Sequence, residues 1–424
     1  MRKVFAVLPP LVLAISACAP AASPGGDIAL ARADIPRASA APADAAAAGT
    51  AITAFGLDLY RAVADGKANV VLSPASIALA LAMARAGARG QTAAEMDAVM
   101  HGLASDDNAT WLNALDQALA TRSGTFKDDS GTDLAVALRI ANAPFAQQAM
   151  PLEKAYLEAL ASRYGAGLRL VDYETATEAA RKLINGWVDD QTEQRIPELL
   201  VPGVLTTETR LTLVNAIYLK APWLTPFPAD STKPGSFTLA GGSTVDVPMM
   251  ATSAAMRYAA GTGWQAVEIP YIGGSLAMTV IVPDDLATFE QALTADQIAS
   301  ITAGLVRTQV ALSLPKFSIE TKAELADILS ALGMPSAFDA RADFSGITQA
   351  ERLQISDVIH QANIDVDEKG TEAAAATAVV MRATAMPAEP VTLTVDRPFL
   401  FALGDVPTGA ILFLGRVADP SITR

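Results

Sequence analysis

Apolar residues recur at helical spacing early in the chain and gather into short runs later. Over residues 52–63 they fall at Ile52, Phe55, Leu59 and Val63, the stripe of a helix with one buried face. Residues 76–88 follow Ser73-Pro74, are rich in strong helix formers and stop near Gly87 and Gly90. Residues 179–191 carry Leu183, Ile184, Trp187 and Val188 on one face. Thr321-Lys322-Ala323-Glu324 has the form of a capping box. With Leu325, Ile328, Leu329 and Leu332 behind it and Gly333 as terminator, it predicts the best-defined helix of the chain.

Runs at residues 211–219, 277–282, 310–314, 355–366, 391–395 and 411–417 predict strands. The 391–395 run alternates, as a half-exposed strand does, whereas several others are continuously apolar, as strands buried on both faces are. Helices crowd the first half and strands the second, without a βαβα rhythm, which predicts an α+β fold. No segment recurs with a solenoid or propeller period beyond residue 50.

Composition narrows the function classes. The 424 residues are 51% hydrophobic and 18% charged, enough to bury a large core. Thirty-one basic against 45 acidic residues give a net charge of −14, and no local basic stripe interrupts it. Such a chain has no broad attraction to nucleic acid or anionic lipid, so no nucleic-acid partner is expected. Cys18 is the only cysteine, which forbids an internal disulfide and a cysteine-built zinc site. The two histidines, His101 and His360, lie far apart and outside any HExxH-like spacing, and no Gly-x-Ser-x-Gly occurs. No metal, cofactor or catalytic residue is expected, and the chain does not read as an enzyme.

The N-terminus reads as a processing signal. Arg2 and Lys3 precede an apolar stretch from Val4 to Ile15, too short to span a membrane permanently. Ile15-Ser16-Ala17-Cys18 then resembles the bacterial lipobox. The expectation is that residues 1–17 are removed and Cys18 is lipidated. That places an exported domain on a bacterial membrane, periplasmic or at the cell surface, and on the outer membrane if the cell is Gram-negative. An ordinary secretory signal with an incidental cysteine is the alternative. The Ala/Pro-rich composition that follows predicts a flexible tether over residues 18–49 and a folded domain over 50–424.

Several motifs, taken in order, are similar to those of one family. Residues 69–77 (NVVLSPASI) and 87–92 (GARGQT), then 213–223 (LVNAIYLKAPW), 314–317 (LPKF) and His360, precede 367–378 (DEKGTEAAAATA), 397–401 (RPFLF) and 412–417 (LFLGRV). Their content and order, across residues 50–420, resemble the serpins. The resemblance implies a serpin fold: a large central β-sheet with helices and an exposed reactive-centre loop. It implies inhibition of serine, and also papain-like cysteine, endopeptidases by covalent suicide trapping, with the cleaved loop inserting into the sheet as a new strand. By the same resemblance Glu368 and Lys316 form an ion pair where the loop meets the sheet. Ser73, Ser76, Asn215 and His360 form a polar cluster beneath the point where the sheet opens, and Trp223 lies under its upper end. Ala221-Pro222 departs from the Gly and polar residue common in the family, which predicts local strain only.

The residue requirements of insertion can be derived. An inserted strand sends alternate side chains inward, where they must be small and uncharged. Thr371, Ala373, Ala375 and Thr377 share one face and are all small. Glu372, Ala374 and Ala376 share the other, where the single charge is expected to meet solvent, and Gly370 is expected to act as a pivot. Composition alone also allows an alanine-rich helix start here; the flanking motifs favour the loop. Sixteen positions after Glu368, family spacing implies a reactive bond at Thr384-Ala385, with Arg382-Ala383 as chemical rival. The first suits an elastase-like or subtilisin-like partner, the second a trypsin-like one. The chain is expected to act as a monomer. The alternative function is that of a non-inhibitory serpin serving as a binding or structural protein.

Overall fold

The computed structural model describes residues 28–372 and 389–423. Its helices there are α1 (Pro42–Ala64), α2 (Pro74–Arg85), α3 (Gly90–Val99), α4 (Trp111–Ala120), α5 (Lys154–Tyr164), α6 (Tyr173–Gln191), α7 (Leu286–Ala292), α8 (Ala295–Gly304) and α9 (Ala326–Leu332). One sheet holds β1 (Ala29–Ala31), β3 (Gly124–Lys127), β4 (Asp133–Gln147), β5 (Leu168–Val171), β6 (Leu211–Pro222), β12 (Phe317–Glu324), β13 (Asp357–Asp367) and β14 (Gly370–Thr371). The other holds β2 (Val70–Leu72), β7 (Lys233–Thr238), β8 (Thr244–Gly261), β9 (Trp264–Pro270), β10 (Leu276–Pro283), β11 (Val306–Pro315), β15 (Val391–Thr394), β16 (Phe399–Asp405) and β17 (Ala410–Val417). Every strand expected from the sequence is present.

The first sheet runs β1-β5-β4-β6-β14-β13-β12, and β6 is its centre. Nearly all of β6 is buried, because both of its faces are covered. On the inner face Leu213, Ile217 and Leu219 join the main core, into which α2 is wholly sunk. On the outer face Val214 and Ala216 meet Ile184 and Val188 of α6, with Ile196, Leu199 and Leu200 of the segment behind it. Side-chain alternation therefore assigns each position of this strand to one of two packed layers.

Two expectations change here. The folded domain begins well before Thr50. Pro42 opens α1, Ala45 and Ala48 are buried, and β1 pairs antiparallel with β5. Between them Arg37 bonds to Asn113 at 2.8 Å and to Asp116 at 2.7 Å, and the Ala38 N–H donates to the Ser162 carbonyl. Alanine is small enough to pack closely and is the best helix former, so an Ala-rich stretch need not be a loose tether. The capping box is also absent. Thr321 lies in β12, where residues 317–324 alternate buried and open, and its hydroxyl accepts from the Val71 N–H at 2.9 Å. The helix beyond it starts at Ala326 without a side-chain cap and spans only seven residues, although Gly333 does end it, at φ +125°.

Candidate functional site

The site is the seam between β6 and β13. The two strands pair in parallel from Asp357↔Thr212 to Ala362↔Ile217. At the upper end β14 pairs antiparallel with both, Thr371 facing Val366 on one side and Ala221 on the other. The hinge of the expected loop is thus already laid between the strands that insertion would part.

Close backbone packing holds it there. Gly370 has φ +151°, and a Cβ on it would overlap the Ala221 carbonyl oxygen. Glycine is required for this approach as well as for its conformational freedom. The Trp223 N–H donates to the Lys369 carbonyl at 2.8 Å and its indole N–H to the Asp367 carbonyl at 2.9 Å. Trp223 is fully buried and stacks on Tyr271, ring centroids 4.4 Å apart. The Tyr271 hydroxyl meets that of Thr371 at 2.6 Å, so Thr371 does face inward. Pro222, at the end of β6, faces Gly370 and still gives its carbonyl to the Ile272 N–H.

Lys316 donates to the Glu368 carboxylate at 2.8 Å, and so does the Thr232 hydroxyl at 2.8 Å. Burial pushes the Glu368 pKa up, but these bonds outweigh it and hold the group below the usual glutamate value. With Lys316 partly exposed, the pair contributes on the order of 1 kcal/mol or less.

Lower on the seam, His360 and Asn215 are register neighbours on the inner face. The Ser73 N–H donates to His360 Nε2 at 3.1 Å. That fixes the neutral tautomer with its proton on Nδ1, which donates to Asn215 Oδ1. Asn215 Nδ2 donates in turn to Ser76 Oγ at 2.6 Å and to Asn142 Oδ1 at 2.6 Å. Asn142 Nδ2 closes the network on the Ser76 carbonyl at 2.9 Å. Desolvation lowers the His360 pKa to about 3, so it carries no charge near neutral pH. The network joins β4, β6, β13 and α2 across the seam. Leaving one of its buried partners unsatisfied costs about 1–3 kcal/mol.

A family profile described as "Serpin (serine protease inhibitor)" matches residues 50–420. The chain belongs to the serpin family. An uncharacterized serpin-like protein of Thermococcus kodakarensis is 40% identical over 375 residues, covering 87% of this chain and 85% of its own length. Leukocyte elastase inhibitor of Sus scrofa is 36% identical over 382 residues, covering 87% and 98%. Among solved structures, uncleaved ovalbumin matches with a TM-score of 0.76 at 27% identity, over 88% of this chain and 100% of that one. Serpin48 of Tenebrio molitor matches at 0.75 and 30%, over 88% and 98%. The α+β serpin fold follows from these matches and from the two sheets.

In this serpin the expected site residues lie in two groups. Lys316, Glu368, Trp223, Gly370 and Thr371 gather at the top of the sheet; Ser73, Ser76, Asn215 and His360 gather lower on the seam. Glu372 departs from expectation. Its side chain is only 3% exposed and pairs with Arg195 at 3.3 Å, because the segment after α6 roofs the outer face. The Tyr218 hydroxyl beside it is pushed up to about 12, by burial and then by the Glu372 charge. Asn142 was not expected; its signal is a lone polar residue inside the otherwise apolar run Ile140-Ala141-Asn142-Ala143-Pro144-Phe145. Thr232 and Tyr271 reach the site from distant turns and leave no local pattern. Cys18, residues 373–377, and both reactive-bond choices (Arg382-Ala383 and Thr384-Ala385) lie outside the described residues.

Proposed function

We propose that this serpin inhibits serine endopeptidases, and papain-like cysteine endopeptidases, by trapping them covalently as its cleaved loop inserts between β6 and β13. The observation that carries the reading is the double pairing of Gly370 and Thr371 at the top of a seam closed below. In the proposed reaction the protease nucleophile attacks the carbonyl carbon of the reactive-bond residue. The peptide C–N bond breaks, the new amine leaves with its proton, and an acyl-enzyme remains. The freed N-terminal arm then extends β14 downward, exchanging one parallel pairing for two antiparallel ones.

The sequence beyond Thr371 supports this on both faces. Inward positions 373, 375 and 377 are Ala, Ala and Thr, and outward positions 374 and 376 are Ala. Since α6 and its following segment cover the outer face, small residues suit both layers. The similarity to leukocyte elastase inhibitors supports an elastase-like partner, as does the small Thr384-Ala385 bond. We place the reactive bond there, with Arg382-Ala383 and a trypsin-like partner as rival.

Incubation with elastase-like, subtilisin-like and trypsin-like proteases tests the reading. An SDS-resistant complex and a released C-terminal fragment starting at Ala385 are expected. A fragment starting at Ala383 makes the target trypsin-like. Clean turnover without complex makes the protein a non-inhibitory binding or structural serpin.

The lipobox-like segment supports an exported domain that is lipid-anchored through Cys18, and we read that domain as a monomer. Cys18→Ser or globomycin is expected to block maturation and release the domain from the membrane fraction. A secreted product unaffected by either contradicts anchoring.

A further inference from the structure

A cavity of about 330 Å³ opens beside the first sheet, where β5 begins and the segment carrying β1 crosses its edge. Arg32, just beyond β1, and Arg169, on β5, both line it, with Trp187 and Gln191 of α6 and Asn142 of β4. Neither guanidinium makes a salt bridge or a side-chain hydrogen bond with any described residue; the Arg169 guanidinium carbon lies 4.7 Å from the centroid of the Trp187 ring. Arg32 is exposed, but Arg169 is half-buried, and for it this is unusual in a chain with a net charge of −14. Other sheltered arginines are paired: Arg85 with Asp97, Arg181 with Glu178 and Glu198, Arg416 with Glu290. The one carboxylate on the cavity wall, Asp116, is already neutralised by Arg37 at 2.7 Å. Burial disfavours the Arg169 charge, and a cation in that position gains from an anionic partner.

We propose that this cavity is a binding site for a small carboxylate- or phosphate-bearing anion held between Arg32 and Arg169. Guanidinium forks match the paired oxygens of either group, and two forks favour a ligand with more than one negative charge. Gln191 supplies a neutral donor along the same wall. The ligand would bridge the N-terminal segment to the sheet and rest against Asn142, a member of the network across the β4, β6 and β13 strands. The inference does not depend on protease inhibition.

Isothermal titration calorimetry of the folded protein tests it, with citrate and inorganic phosphate as probes at one ionic strength set by sodium chloride. One-site binding of at least one probe is expected; which of the two binds tells carboxylate from phosphate. Arg32→Gln and Arg169→Gln should each weaken it by roughly tenfold or more. Arg61→Gln, remote from the cavity, should leave it unchanged. Arg32 lies outside regular structure on the surface, so its variant keeps the test valid if Arg169→Gln folds poorly. Absence of one-site binding in the unaltered protein overturns the proposal. So does binding that survives in Arg32→Gln.

Discussion

At the scale of single residues, the seam depends on His360 staying neutral. Its pKa lies near 3 in the folded protein against an unfolded value of 6.5. Below pH 6.5 the unfolded chain therefore takes up a proton that the folded one refuses. This contribution to stability is fully present above pH 6.5 and is lost as the pH falls toward 3, by about 1.4 kcal/mol per pH unit. A protonated Nε2 would also point a second donor at the Ser73 N–H. Urea midpoints of the unaltered protein and of His360→Asn should therefore converge on acidification between pH 6.5 and 4.5. Parallel curves contradict the assignment. His360, Asn215, Ser73 and Ser76 were legible because their sequence neighbours carry family motifs. Asn142 was not, since its role depends on β4 lying beside β6, which no local pattern announces.

At the scale of elements, β14 shows what the sequence could and could not convey. Alternation assigned Thr371 to the inner face, and its contact with Tyr271 agrees. The same alternation left Glu372 to solvent, because a period of two says which face a residue takes but not what covers that face. The covering layer is α6 and the segment behind it, which are distant in sequence. A similar limit applies to residues 28–49, where alanine reads equally as tether or as helix. Because both layers are packed, both should resist charge. Thr371 is already buried in the intact fold, so Thr371→Arg places an unpartnered cation there at a cost of several kcal/mol, roughly 3–5, and should lower the urea midpoint as well as impair trapping. Ala374→Arg, on the outer face of the strand that insertion would form, should turn the inhibitor into a substrate that still folds. Stoichiometry of inhibition measured with the protease that forms the SDS-resistant complex checks both. Full trapping by Ala374→Arg would mean that the outer layer lifts away during insertion.

At the scale of the whole molecule, the sheet is closed but incomplete. β6 and β13 pair directly over the lower seam, and only Gly370 and Thr371 occupy the place between them at the top among the described residues. The intact fold should therefore lie above a lower state in which more of the chain joins the sheet. Insertion replaces the direct β6–β13 pairing with two ladders and buries further small apolar side chains. In the proposed mechanism the polar network, the close Gly370 packing and the Trp223–Tyr271 stack would hold the closed state until cleavage frees the loop. The most direct measurement is the melting temperature before and after a single cleavage within residues 377–387. The rise expected on cleavage is far larger than the few degrees a single altered contact produces. A cleaved protein that melts at the same temperature as the intact one, or below it, would contradict insertion as the mechanism.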